Sequence, residues 1–107
     1  MERRIGSRAR VDFPAATFVD GHRHECRAVD ISSTGMVVHR SKSLAQRTLH
    51  ELNAMELVMG SQRIRVRART VWSRDRLHAV RVVAMNDVDR LDIAEHLDRM
   101  ARLQSLH

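Results

Sequence analysis

The sequence predicts an all-β domain with a C-terminal helix, about six short antiparallel strands followed by one amphipathic helix. Three observations carry that expectation. Strand-like runs are separated by turn signals at short intervals, as at Asp20-Gly21 and Gly60-Ser61. Positions 63–69 alternate between arginine and apolar residues. From Val88 onward the apolar residues return at helical spacing instead. Closely spaced antiparallel strands favour a small barrel or sandwich, and 107 residues make one domain rather than two.

The elements follow in order. Val11 to Asp20 reads as the first strand, with Pro14 pointing to an edge position or a strand start because proline cannot donate to a central ladder. Asp20-Gly21 turns the chain into a returning strand, His22 to Asp30. Ser32 to Gly35, dense in small polar residues, reads as a tight turn before Met36 to His39. Arg40 to Asn53 is the least legible stretch, open to a short helical turn or a packed loop. Ala54 to Met59 and Arg63 to Trp72 are strands around Gly60-Ser61. In the second of them Ile64, Val66 and Ala68 give an apolar face, and Arg63, Arg65, Arg67 and Arg69 a basic one. Ser73 to Arg76 is a turn and Leu77 to Ala84 the last strand. Asn86 or Asp87 can cap the helix, with Asp89 adding favourable charge to its first turn. Its expected docking stripe is Leu91, Ala94, Leu97, Met100 and Ala101, widened by Ile93.

Composition narrows the function classes. Hydrophobic residues make up 43% and charged residues 30%, while aromatics are 3%: Phe13, Phe18 and Trp72. The net charge of +6 rests on 19 basic and 13 acidic residues, and Lys42 is the single lysine. Arginine presents a planar, bidentate fork suited to phosphates and to the Hoogsteen edge of guanine, although arginine-rich usage also follows from genome composition. The lone Cys26 allows no intramolecular disulfide, and a reducing compartment is the default. No apolar run approaches the ~20 residues of a membrane span, and residues 1–10 lack the apolar segment of a signal peptide. The expectation is a cytoplasmic protein without membrane insertion.

Two short constellations stand out. Arg4-Ile5-Gly6-Ser7-Arg8 sets two arginines four apart, next to Arg3 and Arg10. Asp30-Ile31-Ser32-Ser33-Thr34-Gly35 begins 22 positions beyond Arg8, between two expected strands. Together, in this order, they resemble the two signatures of the PilZ family, R-x-x-x-R and [DN]-x-S-x-x-G. Arg69-Thr70-Val71-Trp72 followed by His78-Ala79-Val80-Arg81-Val82 looks like the family's late strand pair. Ala79 and Val82 depart from the glycine and phenylalanine often found there.

The resemblance implies a six-stranded antiparallel barrel with a C-terminal helix, behind a flexible arm of residues 1–10. It implies a receptor for the second messenger cyclic di-GMP, with Arg3, Arg4, Arg8, Asp30, Ser32 and Gly35 at the ligand. The chemistry agrees. Arg4 and Arg8 can grip phosphate and guanine O6/N7 with charge-assisted bonds. Asp30 can accept from guanine N1–H and N2–H, a demand adenine fails. Ser32 offers a small hydroxyl, and Gly35 permits a positive-φ turn or close approach of the ligand. An arginine at position 3 is associated in this family with two stacked ligand molecules per domain. Trp72 has open readings, stacking on a guanine or lying over the barrel mouth on one side and sitting half-buried in its strand on the other. With nothing else attached, such a domain would signal through an unidentified protein partner, a change of self-association or competition for ligand.

Other chemistries find less support. His22 and His24 share a strand face with Cys26, but no third metal ligand follows at a recognisable spacing. No serine lies in a G-x-S-x-G setting, and no P-loop or dinucleotide fingerprint occurs, so no enzyme is expected. The basic strand 63–69 supports the rival reading, a small barrel tracking a nucleic-acid strand. Its structural counterpart is a solvated face balanced by acidic residues on neighbouring strands.

Overall fold

A computed structural model describes residues 9–32, 34–42 and 51–105. Six antiparallel strands close into a barrel in the order β1-β2-β3-β6-β5-β4, where β1 is Ala9–Val19, β2 His22–Ile31, β3 Gly35–Arg40, β4 Leu52–Met59, β5 Gln62–Arg74 and β6 Leu77–Met85. One helix, α1, spans Asp87–Ser105. The expected fold class is therefore the observed one. Closure depends on two ladders between strands distant in sequence, β1 with β4 and β3 with β6.

Alternation decides which side chains enter the barrel. On β5 Ile64, Val66 and Ala68 are buried while the intervening arginines are exposed, as the period of two requires. Met55, Leu57, Val38, Val80 and Ile31 fill the same core. Pro14 sits in mid-strand opposite Arg27, one residue outside the Ala15–Phe18 stretch that pairs with β4, so its missing N–H forfeits little of the ladder. Asp20, Gly21 and Gly60 turn in the left-handed region, with φ of 52°, 81° and 63°.

Some boundaries differ from expectation. The first strand starts at Ala9, so Ala9 and Arg10 belong to the barrel wall. The rest of the expected arm, with Arg3, Arg4 and Arg8, lies outside the described residues. The β5–β6 turn is the two-residue Asp75–Arg76 rather than Ser73 to Arg76, because β5 continues through Arg74 and Asp75 alone takes the left-handed φ of 55°. The helix docks on Ile93 and Leu97, supported by Met100, and His96 meets Phe13 edge-on at 5.4 Å. Leu91 and Ala94 face solvent, so the docking stripe is rotated from the expected one. Asn86 is the cap, its Oδ1 accepting from the Val88 N–H at 2.8 Å.

One end of the interior is polar. Each strand supplies one inward polar side chain there: Thr17, Cys26, Arg40, Asn53, Thr70 and His78. Asn53 Nδ2 donates to Thr70 Oγ1 at 3.1 Å, Thr70 Oγ1 meets His78 Nε2 at 2.9 Å, and Thr17 and Cys26 touch at 3.9 Å. Burial pushes the Cys26 thiol up and leaves it facing Thr17, apart from His22 at the exposed strand start. Among the described residues no three His, Cys, Asp or Glu side chains gather as metal ligands do.

Candidate functional site

Three β-bulges converge on one patch of the outer wall. In β2 the pairing with β3 shifts between Ala28 and Asp30. In β1 the pairing with β2 shifts between Arg10 and Phe13. In β5 the pairing with β6 shifts between Thr70 and Trp72, so Thr70 points inward, Val71 is the extra residue, and Trp72 is re-aimed outward. Without that bulge the period of two would put Trp72 in the core beside Thr70. Instead it is 46% exposed.

The consequence is a row of paired residues running across five strands. Arg10 pairs with Asp30, Asp30 with Val37, Val37 with Ala79 and Ala79 with Trp72. A hollow of about 630 Å³ lies on this row, lined by Arg10, Asp30, Val37, Trp72, Leu77 and their neighbours. A second hollow of about 170 Å³ adjoins it through the shared Val37 and Trp72, and is bounded by Ser32, Thr34, Gly35 and Arg81. The small Ala79 keeps the second hollow open beneath Trp72.

The Ser32–Gly35 turn is braced from within. The Ser32 N–H donates to the Gly35 carbonyl at 2.9 Å, and Ser32 Oγ accepts from the N–H groups of Thr34 and Gly35 at 3.3 and 3.2 Å. The hydroxyl is thus engaged in holding the turn. Thr34 ties the turn to β6, its carbonyl accepting from the Val82 N–H at 2.8 Å. Gly35 does not take a positive φ, which sets aside that part of its expected role. A Cβ there would collide with the Val80 carbonyl oxygen of β6, so glycine is required by the close approach of a neighbouring strand.

Of the expected site residues, Asp30, Ser32, Gly35 and Trp72 come together around the two hollows. Arg3, Arg4 and Arg8 precede the described residues, and β1 begins one position after Arg8, at the edge of this patch. The sequence reading did not select Arg10 or Arg81 as site residues. Arg10 pairs with Asp30, and Arg81 pairs with Gly35. No local pattern reveals either, because both placements depend on register between strands. The basic residues of β5 lie elsewhere: Arg63 and Arg65 share Glu56 and Arg69 pairs with Glu51.

Fold and hollows define a small barrel domain with a ligand-sized depression on its outer wall. The PilZ domain matches residues 2–100, and the chain belongs to that family. PilZ domains are non-catalytic and are typically receptors for cyclic di-GMP. Among the solved structures that share the fold, two illustrate it. The Bacillus subtilis inhibitor of motility, MotI/DgrA, superposes with a TM-score of 0.79 at 12% identity, over 94% of this chain and 52% of that one. The chain thus spans about half of that protein's length. An uncharacterized Legionella protein, Lpg0364, gives a TM-score of 0.62 at 13% identity, over 92% of this chain and 98% of that one. No curated protein matches by sequence. No helix among the described residues is long and apolar enough to cross a membrane.

Proposed function

We propose that the chain is a cyclic di-GMP receptor whose ligand lies on the outer wall, between Arg4 and Arg8 at the chain start and the Asp30–Gly35 turn. The observation carrying this reading is the row from Arg10 through Asp30 to Trp72 over one hollow. It offers a carboxylate for guanine N1–H and N2–H, an open indole face for stacking, and cations at both ends for phosphate. Ser32 serves by holding the turn. Arg10 and Arg81 add charge to the two hollows. Residues 1–8 fold over the ligand as it binds, changing the surface a partner protein meets. Arg3 and the second hollow accommodate a second, stacked ligand molecule.

Isothermal titration of cyclic di-GMP, beside cyclic di-AMP and GTP, tests the reading. Guanine-specific binding is expected, weakened by about 1–3 kcal/mol in Arg8→Ala or Asp30→Ala. A 2:1 ratio that becomes 1:1 in Arg3→Ala is expected as well. No heat at high micromolar ligand would remove the receptor reading and leave a PilZ-fold interaction module, with nucleic-acid binding tested next.

A further inference from the structure

The basic outer face of β5 is not used by the ligand reading. Arg63, Arg65 and Arg67 project from it at two-residue spacing, roughly 7 Å apart along the strand. Beside them runs a groove of about 450 Å³, with Ala54 and Ala84 as its floor and Phe18, Met85, Arg65 and Arg67 among its walls. The register explains its shape, since Arg67 is flanked by alanine on both sides, Ala54 on β4 and Ala84 on β6. None of the residues lining this groove lines either hollow of the candidate ligand site. Both can be filled at once.

The arginines are held ready for a planar anion. Glu56 accepts from Arg23 at 2.6 Å and from Arg63 at 3.4 Å, and lies 3.6 Å from Arg65. The guanidiniums of Arg23 and Arg65 both lie over the Phe18 ring, at 5.9 and 5.4 Å from its centre. Arg23 also pairs with Glu25, and Arg67 makes no ion pair among the described residues. Four guanidiniums (Arg23, Arg63, Arg65, Arg67) thus stand against two carboxylates (Glu25, Glu56) in this cluster, while Asp87 follows Asn86 at the helix end of the groove. Stacking and ion pairing fix the Arg65 fork in advance, which lowers the entropy lost when a carboxylate engages it, and Arg67 beside it brings a charge that no carboxylate among the described residues neutralises.

We propose that this groove docks an extended acidic segment of a partner protein. Two carboxylates on one side of that segment meet Arg65 and Arg67, and an apolar side chain on the same side enters over Ala54 and Ala84. Alternate residues of an extended chain are spaced like the arginines of β5, so charges two positions apart match them. A nucleic-acid strand fits less well. Such sites rely on aromatic faces free for base stacking, and Phe18, the aromatic of this groove, is already engaged by Arg23 and Arg65.

The test is fluorescence anisotropy with the full chain and a labelled peptide, Glu-Ser-Glu-Ser-Leu-Ser-Glu. Saturable binding is expected that weakens with salt, is absent for the same peptide with lysine in place of glutamate, and falls by about tenfold or more in Arg67→Glu. The melting temperature and the cyclic di-GMP titration of that variant should match the wild type. Ala84→Met, which fills the groove and keeps every charge, should weaken the peptide as well, and stands in if the charge reversal does not fold. Equal binding by wild type and both variants, no binding of the acidic peptide, or tighter binding of oligothymidylate than of the peptide would overturn the proposal.

Discussion

Arg40 and Glu56 are both nearly out of water, 3% and 1% exposed, yet their surroundings are opposite. Glu56 stands on the outer side of β4 and is covered by arginine side chains leaning over it from β2 and β5. The hydrogen bond from Arg23 holds its carboxyl below the usual carboxylate range. Arg40 points into the polar end of the barrel. Its Nη2 reaches the Asp75 carbonyl at 3.4 Å, while Nε and Nη1 have no hydrogen-bond partner among the described residues. Burial lowers its pKa. The difference follows from which way a strand residue faces. An outward charge recruits long side chains from neighbouring strands, whereas an inward one meets only the groups that core geometry leaves there.

The largest effect expected from this contrast is a dependence of stability on pH. His78, 0% exposed beside Arg40, is pushed down to about 4 by burial first and by the Arg40 charge second. Between its ordinary value of 6.5 and 4, the unfolded chain takes up a proton that the native state refuses. Stability is therefore complete above pH 6.5 and declines as pH falls through this window, by about 3 kcal/mol in total at about 1.4 kcal/mol per pH unit. Glu56 acts later. Its folded value is depressed, so its contribution is present above its ordinary 4.5 and lost only as pH falls below that. Urea unfolding at stepped pH should show the first loss flattened in His78→Gln and the second retained. An unchanged slope between pH 6.5 and 4.5 in that variant would place the acid sensitivity elsewhere.

Arg40→Met comes next in size. It removes two buried guanidinium nitrogens without acceptors and a cation with no carboxylate partner among the described residues, at the cost of one long hydrogen bond to Asp75. A gain of about 1–2 kcal/mol at neutral pH is expected, read from the denaturant midpoint at constant slope. The variant also relieves His78 of a repelling charge, so the loss on acidification should shrink. A less stable variant would mean that Arg40 holds the Asp75–Arg76 turn more firmly than its contacts indicate. That turn is bonded to β3 twice more, by the Arg40 N–H to the Arg76 carbonyl at 2.8 Å and by Arg76 Nε to the Arg40 carbonyl at 2.9 Å.

The two charges also mark where the sequence was legible. β5 could be read because one side meets water and the other the core, so Arg63–Arg69 alternates visibly. The acid that balances it lies on the neighbouring strand, as the solvated-face reading anticipated. The Asp20-Gly21 and Gly60-Ser61 turns were readable because Asp20, Gly21 and Gly60 take left-handed φ values that favour those residue types. Arg40 carried no such signal, since a polar residue at a strand end looks the same whether it points in or out. The helix stripe was misjudged because Leu91 and Ala94 fit the same period as Ile93 and Leu97, and only Phe13 and the barrel wall choose between them. At the candidate site, the Asp30–Gly35 turn is a local pattern and was found. The convergence of Arg10, Asp30, Trp72 and Arg81 is not local. It depends on closing β3 against β6 and on bulges that reverse which side Asp30 and Trp72 face.

The smallest effect, and the one that best separates the two regions, comes from Glu56→Gln. The substitution keeps the side-chain volume and leaves Arg23, Arg63 and Arg65 close together without their shared anion. Each of these guanidiniums is partly open to solvent and can swing away, so the penalty is limited to their mutual repulsion and lost ordering. A lower melting temperature is expected at low ionic strength. Most of that loss should disappear near 1 M salt, where the screening length falls to about 3 Å. Arg40→Met should respond differently, because a charge enclosed by the barrel is hardly screened by ions outside it. Measured side by side, a salt-sensitive Glu56 variant and a salt-insensitive Arg40 variant would establish that one charge is buried by its partners and the other by the fold. A Glu56→Gln loss that persists at high salt would instead make the carboxylate a packing element of the β1–β4–β5 wall, with the arginines contributing their stems rather than their charge.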